Sequence, residues 1–239
     1  MSRAKIWHCM NICSQIAYTT NEVITMLNVR SYALGPVQTN CYIVSNKAKE
    51  CLIFDPGEES ERIIKELRNN GLKPLAILLT HAHFDHIGAV DGLRQAYDVP
   101  LWLHEKEVSW LGNPDKNGSG KYAMLPNYTV QPPLPEHIIR EECAMTIGDF
   151  TFKAVFTPGH SPGSISYIFE QDGFAIVGDT LFEQSVGRTD LYGGDTKLLL
   201  QSIHNKLLSL PEDTIIYPGH GRDTTPGEEM ERNPFLNGF

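Results

Sequence analysis

The sequence predicts an α/β chain in which helices cover sheets. Three observations carry that prediction. Short β-type runs recur from Met26 onward, and two segments show the 3.6-residue period of amphipathic helices. The order of strands, helix, more strands, second helix and last strand also departs from a simple doubly wound alternation.

The β-type runs are Cys41 to Val44, Cys51 to Phe54, Leu75 to Leu79, Leu101 to Leu103, Phe150 to Phe156, Ser164 to Phe169, Phe174 to Val177 and Thr214 to Tyr217. Ser60 is placed to cap a helix whose Ile63, Ile64 and Leu67 share a face before Asn70-Gly71 ends it. A second helix starts at Asp195, carries Leu198, Leu199, Ile203 and Leu207 on one side, and stops before Pro211. Residues 112–137, rich in Gly, Pro and Asn, read as a long surface loop able to border a site. Residues 1–25 have no clear period and read as a loosely ordered N-terminal extension, which leaves 26–239 as one domain.

Composition narrows the function. With 41% hydrophobic and 21% charged residues, the chain can bury a core without staples. A formal net charge of -9 with no basic cluster argues against a nucleic-acid partner. No stretch approaches the roughly 18 apolar residues of a membrane span, so no membrane association is expected. The five cysteines, Cys9, Cys13, Cys41, Cys51 and Cys143, form no CxxC pair. They read as reduced thiols of a cytoplasmic protein, with Cys41 and Cys51 as small buried groups.

The chemistry concentrates where an apolar run ends in Thr80-His81-Ala82-His83-Phe84-Asp85-His86, with four metal-capable side chains within six residues. Three imidazoles and a carboxylate at a strand tip repel or stay unpaired if buried alone, whereas a cation satisfies them together. Three further passages each set a ligand-type residue after a β-type run and beside Gly or Pro: Pro158-Gly159-His160, Gly178-Asp179-Thr180 and Pro218-Gly219-His220. Five His and two Asp are enough for two ions. His8, His104, His137 and His204 have no partner at ligand spacing.

His81-x-His83-x-Asp85-His86, His160, Asp179 and His220, in this order, resemble the metallo-β-lactamase superfamily from about residue 29 to the end. The resemblance implies an αββα sandwich with metals at one sheet edge. It implies His81, His83 and His160 on a first ion, Asp85, His86 and His220 on a second, and Asp179 bridging them. The ions expected are two divalent cations, zinc foremost, with iron or manganese tolerated. Asp55 is placed to fix a ligand imidazole from behind.

Asp179 sets the chain apart from the β-lactamases of this superfamily, which generally lack a matching Asp. Gly187-Arg188-Thr189-Asp190, Pro218-Gly219-His220-Gly221 and the tail Glu231-Arg232-Asn233-Pro234-Phe235-Leu236 resemble the short glyoxalase II-like branch, the hydroxyacylglutathione hydrolases. That likeness implies hydrolysis of a small-molecule acyl thioester such as S-D-lactoylglutathione by a metal-bridging hydroxide, with Asp85 and Asp179 catalytic. The longer glyoxalase II enzymes hold glutathione with a C-terminal helical region, yet only 19 residues follow His220. Arg188, Arg222, Arg232 and Lys121 are the cations left to meet a substrate carboxylate, Arg188 foremost. Two other activities of the superfamily share the ligand pattern. One is an iron persulfide dioxygenase using His81, His160 and Asp179, and the other a lactonase or esterase.

Overall fold

The computed structural model describes residues 27–121, 130 and 132–236, so the extension expected at 1–25 lies outside the described residues. The first sheet sets β1 (Asn28–Leu34), β2 (Thr39–Ser45), β3 (Glu50–Phe54), β4 (Lys73–Leu78), β5 (Leu101–His104) and β6 (His137–Ile139) side by side in chain order. Its first three strands pair antiparallel, and β3 to β6 pair parallel. The second sheet comprises β7 (Cys143–Ile147), β8 (Phe150–Phe156), β9 (Ile165–Phe169), β10 (Phe174–Gly178) and β13 (Ile215–Pro218), in the order β13-β10-β9-β8-β7. Only its β10–β13 pair is parallel. A small hairpin, β11 (Leu181–Phe182) and β12 (Ser185–Val186), follows β10.

Continuous apolar runs with period-2 geometry create the layers, because alternate side chains face opposite sides of a strand. Tyr42, Val44, Leu52 and Phe54 point between the sheets, against Phe152, Tyr167, Phe169 and Ile176. Their neighbours Cys41, Ile43, Cys51 and Ile53 point outward to helices α1 (Ser60–Asn70) and α3 (Val90–Tyr97), through Ile63, Leu67, Val90 and Leu93. On the other side Ile168, Ala175, Val177 and Ile216 meet Leu199, Leu200, Ile203 and Leu207 of α5 (Thr196–Ser202) and the π-helical turn Ile203–Leu207. Helix, sheet, sheet, helix is the expected αββα sandwich, and Cys41 and Cys51 are buried free thiols within it.

Local expectations meet three corrections. Ser60 does not cap α1; Glu59 holds that position in a left-handed conformation, while Ser60 Oγ packs against Gly92 of α3. Leu198 is 37% exposed, because the buried stripe of α5 runs through Leu199, Leu200, Ile203 and Leu207 instead. Asp195 does cap α5, its carboxylate accepting Leu198 N–H at 2.9 Å, and Gly71 ends α1 with φ of 63°. The 112–137 segment is not loop throughout. It contains α4 (Pro114–Asn117), capped by Asn113, and a 3-10 turn over Ser119–Lys121.

The strands absent from the sequence reading are the edge strands β1, β6 and β7 and the short hairpin. β1 and β7 bury few side chains and β6 has three residues, so none offers a continuous apolar run. Helices α2 (Phe84–Ile87), α3 and α6 (Pro226–Arg232) were also absent from the sequence reading, each being eight residues or shorter. Among the described residues no helix is long and apolar enough to cross a membrane.

Candidate metal centre

The loops after β4, β8, β10 and β13 deliver all seven predicted ligand residues to one edge of the sandwich. His81 and His83 follow β4, with His83 at the N-cap of α2, whose first turns carry Asp85 and His86. His160 lies in the turn between β8 and β9, and Asp179 and His220 follow the parallel neighbours β10 and β13.

Their ligand atoms fall into overlapping sets. His81, His83 and His160 form one, Asp85, His86 and His220 another, and His81, His86 and Asp179 lie between; within each the atoms are within 4.8 Å of one another. His83 Nδ1 is 2.9 Å from His160 Nε2. His220 Nε2 lies 3.2 Å from Asp85 Oδ2, and His86 Nε2 lies 3.5 Å from the same oxygen. Asp179 reaches both groups, 3.4 Å from His86 Nε2 and 3.6 Å from each of His160 Nε2 and His220 Nε2.

Five of the seven candidate ligands are held from behind. Asp55, in a left-handed conformation with φ of 48°, accepts His86 Nδ1–H at 3.0 Å. The same carboxylate accepts Thr80 N–H at 2.7 Å and the Thr80 hydroxyl at 2.6 Å, and Thr80 Oγ1 lies 3.1 Å from His81 Nδ1. Asp55 therefore orients one imidazole directly and another through Thr80, leaving both Nε2 atoms turned inward. His160 Nδ1–H donates to the Arg188 carbonyl at 2.8 Å. Thr39 donates its hydroxyl to Asp85 Oδ2 at 2.7 Å. Asn40 and Tyr42 donate to the Pro218 carbonyl at 3.1 and 2.6 Å, and Asn40 also reaches the Gly221 carbonyl at 3.0 Å. Together they hold the loop carrying His220. Gly219 has no room for a side chain, since a Cβ there falls 2.0 Å from Asp179 Oδ1 and 2.9 Å from His86 Cε1.

The electrostatics divide the cluster. Burial and neighbouring imidazoles push His81 well below the usual histidine range and His83 to about 3; burial likewise lowers His160. Burial also opposes charge on His86, but Asp85, Asp179 and Asp55 outweigh it and hold His86 well above the usual value. His220 is raised to about 9 by Asp179 and Asp85 against burial. His86 and His220 in turn draw Asp85 down to about 2 and hold Asp179 well below the usual carboxylate range, against a burial effect of opposite sign.

Three buried atoms in this cluster, His81 Nε2, His86 Nε2 and Asp179 Oδ1, lack a hydrogen-bond partner. Each such atom is costly in a folded core, and all three face the space shared by the ligand sets. The donor set fits a cation coordinated by imidazole and carboxylate.

A cleft of about 550 Å³ opens above the cluster, lined by Val37, Phe84, Lys116, Lys121, Arg188 and Tyr192 among others. Arg188 lines it, but its guanidinium is 63% exposed and paired with both Asp190 carboxylate oxygens at 2.7 Å. Lys121 also lines the cleft, while the exposed Arg222 and Arg232 do not. Tyr192 stands at the rim, and Phe182 is 6.2 Å from His220 ring to ring. The remaining described histidines have local contacts instead: His104 accepts Lys106 N–H at 3.0 Å, His137 stacks on Trp102 at 3.9 Å, and His204 sits in the π-helical turn. Thr39, Asn40 and Tyr42 were missed in the sequence. Their signal was a Thr-Asn-x-Tyr run of polar groups opening an otherwise apolar strand.

Comparison with known proteins agrees with this geometry. The Metallo-beta-lactamase superfamily profile matches residues 34–220. The chain is 48% identical to "Probable metallo-hydrolase YqgX" of Bacillus subtilis, over 88% of this chain and 98% of that protein. It is 36% identical to "Hydroxyacylglutathione hydrolase GloC" of Haemophilus influenzae, over 88% and 99%. Among solved structures, the BLEG-1 B3 metallo-beta-lactamase is similar with a TM-score of 0.85 and 52% identity, covering 88% of this chain and 100% of that one. TTHA1623 in a di-iron-bound form gives 0.78 and 40%, covering 87% and 100%. With seven histidines and aspartates on one sandwich edge and a superfamily profile spanning most of its length, the chain belongs to the metallo-β-lactamase superfamily.

Proposed function

We propose that the chain is a hydrolase of small acyl thioesters, with S-D-lactoylglutathione as the test substrate, working with two divalent ions, zinc foremost. In this reading His81, His83 and His160 hold one ion, Asp85, His86 and His220 hold the other, and Asp179 bridges. The observation that carries it is Asp179, within 3.6 Å of ring nitrogens from both sets. The likeness to a hydroxyacylglutathione hydrolase supports the thioester class. The bound pair of cations supplies Lewis acidity and a water acidic enough to be a nucleophile near neutral pH.

The chain's own groups do the rest. Asp85, one oxygen fixed by Thr39, lines the cleft and is placed to orient the nucleophile and take its proton. Val37 and Phe84 give the cleft apolar wall against which an acyl group packs. The leaving thiol needs no strong acid, because its own pKa is only about 8.5. Lys116 and Lys121 are cleft cations placed to meet a carboxylate, whereas the charge of Arg188 is already matched by Asp190.

A second reading rests on the 52% identity to a structure titled a B3 metallo-beta-lactamase. One panel separates the two: acyl thioesters beside a chromogenic cephalosporin, with wild type and Asp179→Ala. Thioester turnover lost together with metal in the variant supports the proposal, and turnover of the cephalosporin alone overturns it.

A further inference from the structure

Glu107 is a fully buried carboxylate in the 3-10 turn Glu105–Trp110 that follows β5, and nothing in the reaction above uses it. Its partners are neutral. It accepts Ala82 N–H at 2.6 Å, Gly163 N–H at 2.8 Å and the Ser161 hydroxyl in a very short bond. Ala82 sits between His81 and His83, and Ser161 follows His160. The carboxylate thus spans the two loops that carry the three-histidine set. The join is close-packed, since a Cβ on Gly163 falls 2.9 Å from Glu107 Cγ. The other set hangs on Asp55, Thr39 and Asn40 and receives no hydrogen bond from Glu107.

Burying a carboxylate is costly, and three donors from neutral groups offset that cost only in part. Both carboxylate oxygens accept from donors, so an amide of the same shape would set its NH2 against a donor of one loop or the other. An anion that sits behind three imidazole ligands and anchors their backbone is matched to a cation held in front of them.

From this geometry we infer that Glu107 is the positioning residue for the His81/His83/His160 set, fixing the separation of its two loops and so its metal affinity, without acting on the Asp85/His86/His220 set. The inference rests on the two-set reading above.

The test is zinc affinity measured against a competing chelator in two backgrounds, with thermal melting of each stripped chain as control. His220→Ala weakens one set and leaves the three histidines; His83→Ala does the reverse. Adding Glu107→Gln to the His220→Ala chain is expected to weaken zinc by about 10- to 100-fold. Added to the His83→Ala chain, it leaves affinity within about twofold. Ser161→Ala, which removes one donor and keeps the carboxylate, is expected to give a smaller loss with the same selectivity, and it decides the matter if Glu107→Gln does not fold. Equal loss in both backgrounds, or none in either, overturns the inference. A wild-type chain binding a single zinc defeats the two-set reading separately, and the His220→Ala comparison still decides for Glu107.

Discussion

Asp55 accepts His86 Nδ1–H at 3.0 Å while the same carboxylate holds Thr80, whose hydroxyl oxygen lies 3.1 Å from His81 Nδ1. One buried side chain therefore orients an imidazole in each ligand set. Asp55→Asn replaces one acceptor oxygen with a donor and is expected to lower zinc affinity and kcat each by about 10- to 100-fold while the fold is retained. Elemental analysis beside circular dichroism checks this, and full metal content in the variant would remove Asp55 from the centre.

The charge division of the cluster predicts how pH acts on the metal-free chain. His220 is raised to about 9, so its favourable protonated state is fully present below the ordinary value near 6.5 and is lost as pH climbs through 9. His83 is lowered to about 3 and is buried neutral, so stability also falls as pH drops below about 6.5. Melting temperature of the stripped protein is expected to peak near pH 6.5 and to fall on either side, and His220→Asn is expected to flatten the alkaline limb.

Zinc uptake is expected to show the converse dependence. Binding at Asp85, His86 and His220 displaces protons from the two raised imidazoles, so apparent affinity there rises with pH up to about 9. The three-histidine set is already neutral at pH 7 and is expected to change little. Chelator competition at pH 6, 7, 8 and 9, with proton release measured in parallel, reads both.

Close approach at Gly219 predicts a sharp contrast with its neighbour. Gly219→Ala sets a methyl 2.0 Å from Asp179 Oδ1 and is expected to abolish metal binding. Gly221→Ala meets nothing within 4 Å and costs only its left-handed backbone, about 1 kcal/mol. Similar metal content in the two variants would contradict the geometry.

Removing residues 1–25 is expected to leave melting temperature and turnover nearly unchanged, since among the described residues the elements that build the site fall within Asn28–Arg232. A large fall in melting temperature in the truncated protein would contradict this.

The cluster of histidines and aspartates was legible because such side chains stand at short spacing from His81 to His86, and the structure brings them together with His160, Asp179 and His220. The central strands were legible for a related reason: buried on both faces, they read as continuous apolar runs. The edge strand β1 was not, since Asn28, Arg30 and Ser31 give it no such run. Nor was Glu107, whose two backbone partners lie 25 and 56 residues away, a relationship that no local pattern carries. Arg188 shows the opposite limit. Its side chain lines the cleft, paired with Asp190, while its backbone carbonyl, which no side-chain pattern signals, accepts from His160.

The most direct test of the central claim is anaerobic cleavage of S-D-lactoylglutathione by the zinc-loaded protein, followed as loss of the thioester. The account predicts turnover without oxygen, since hydrolysis needs only water. No anaerobic cleavage, together with oxygen uptake on glutathione persulfide by the iron-loaded protein, would contradict it.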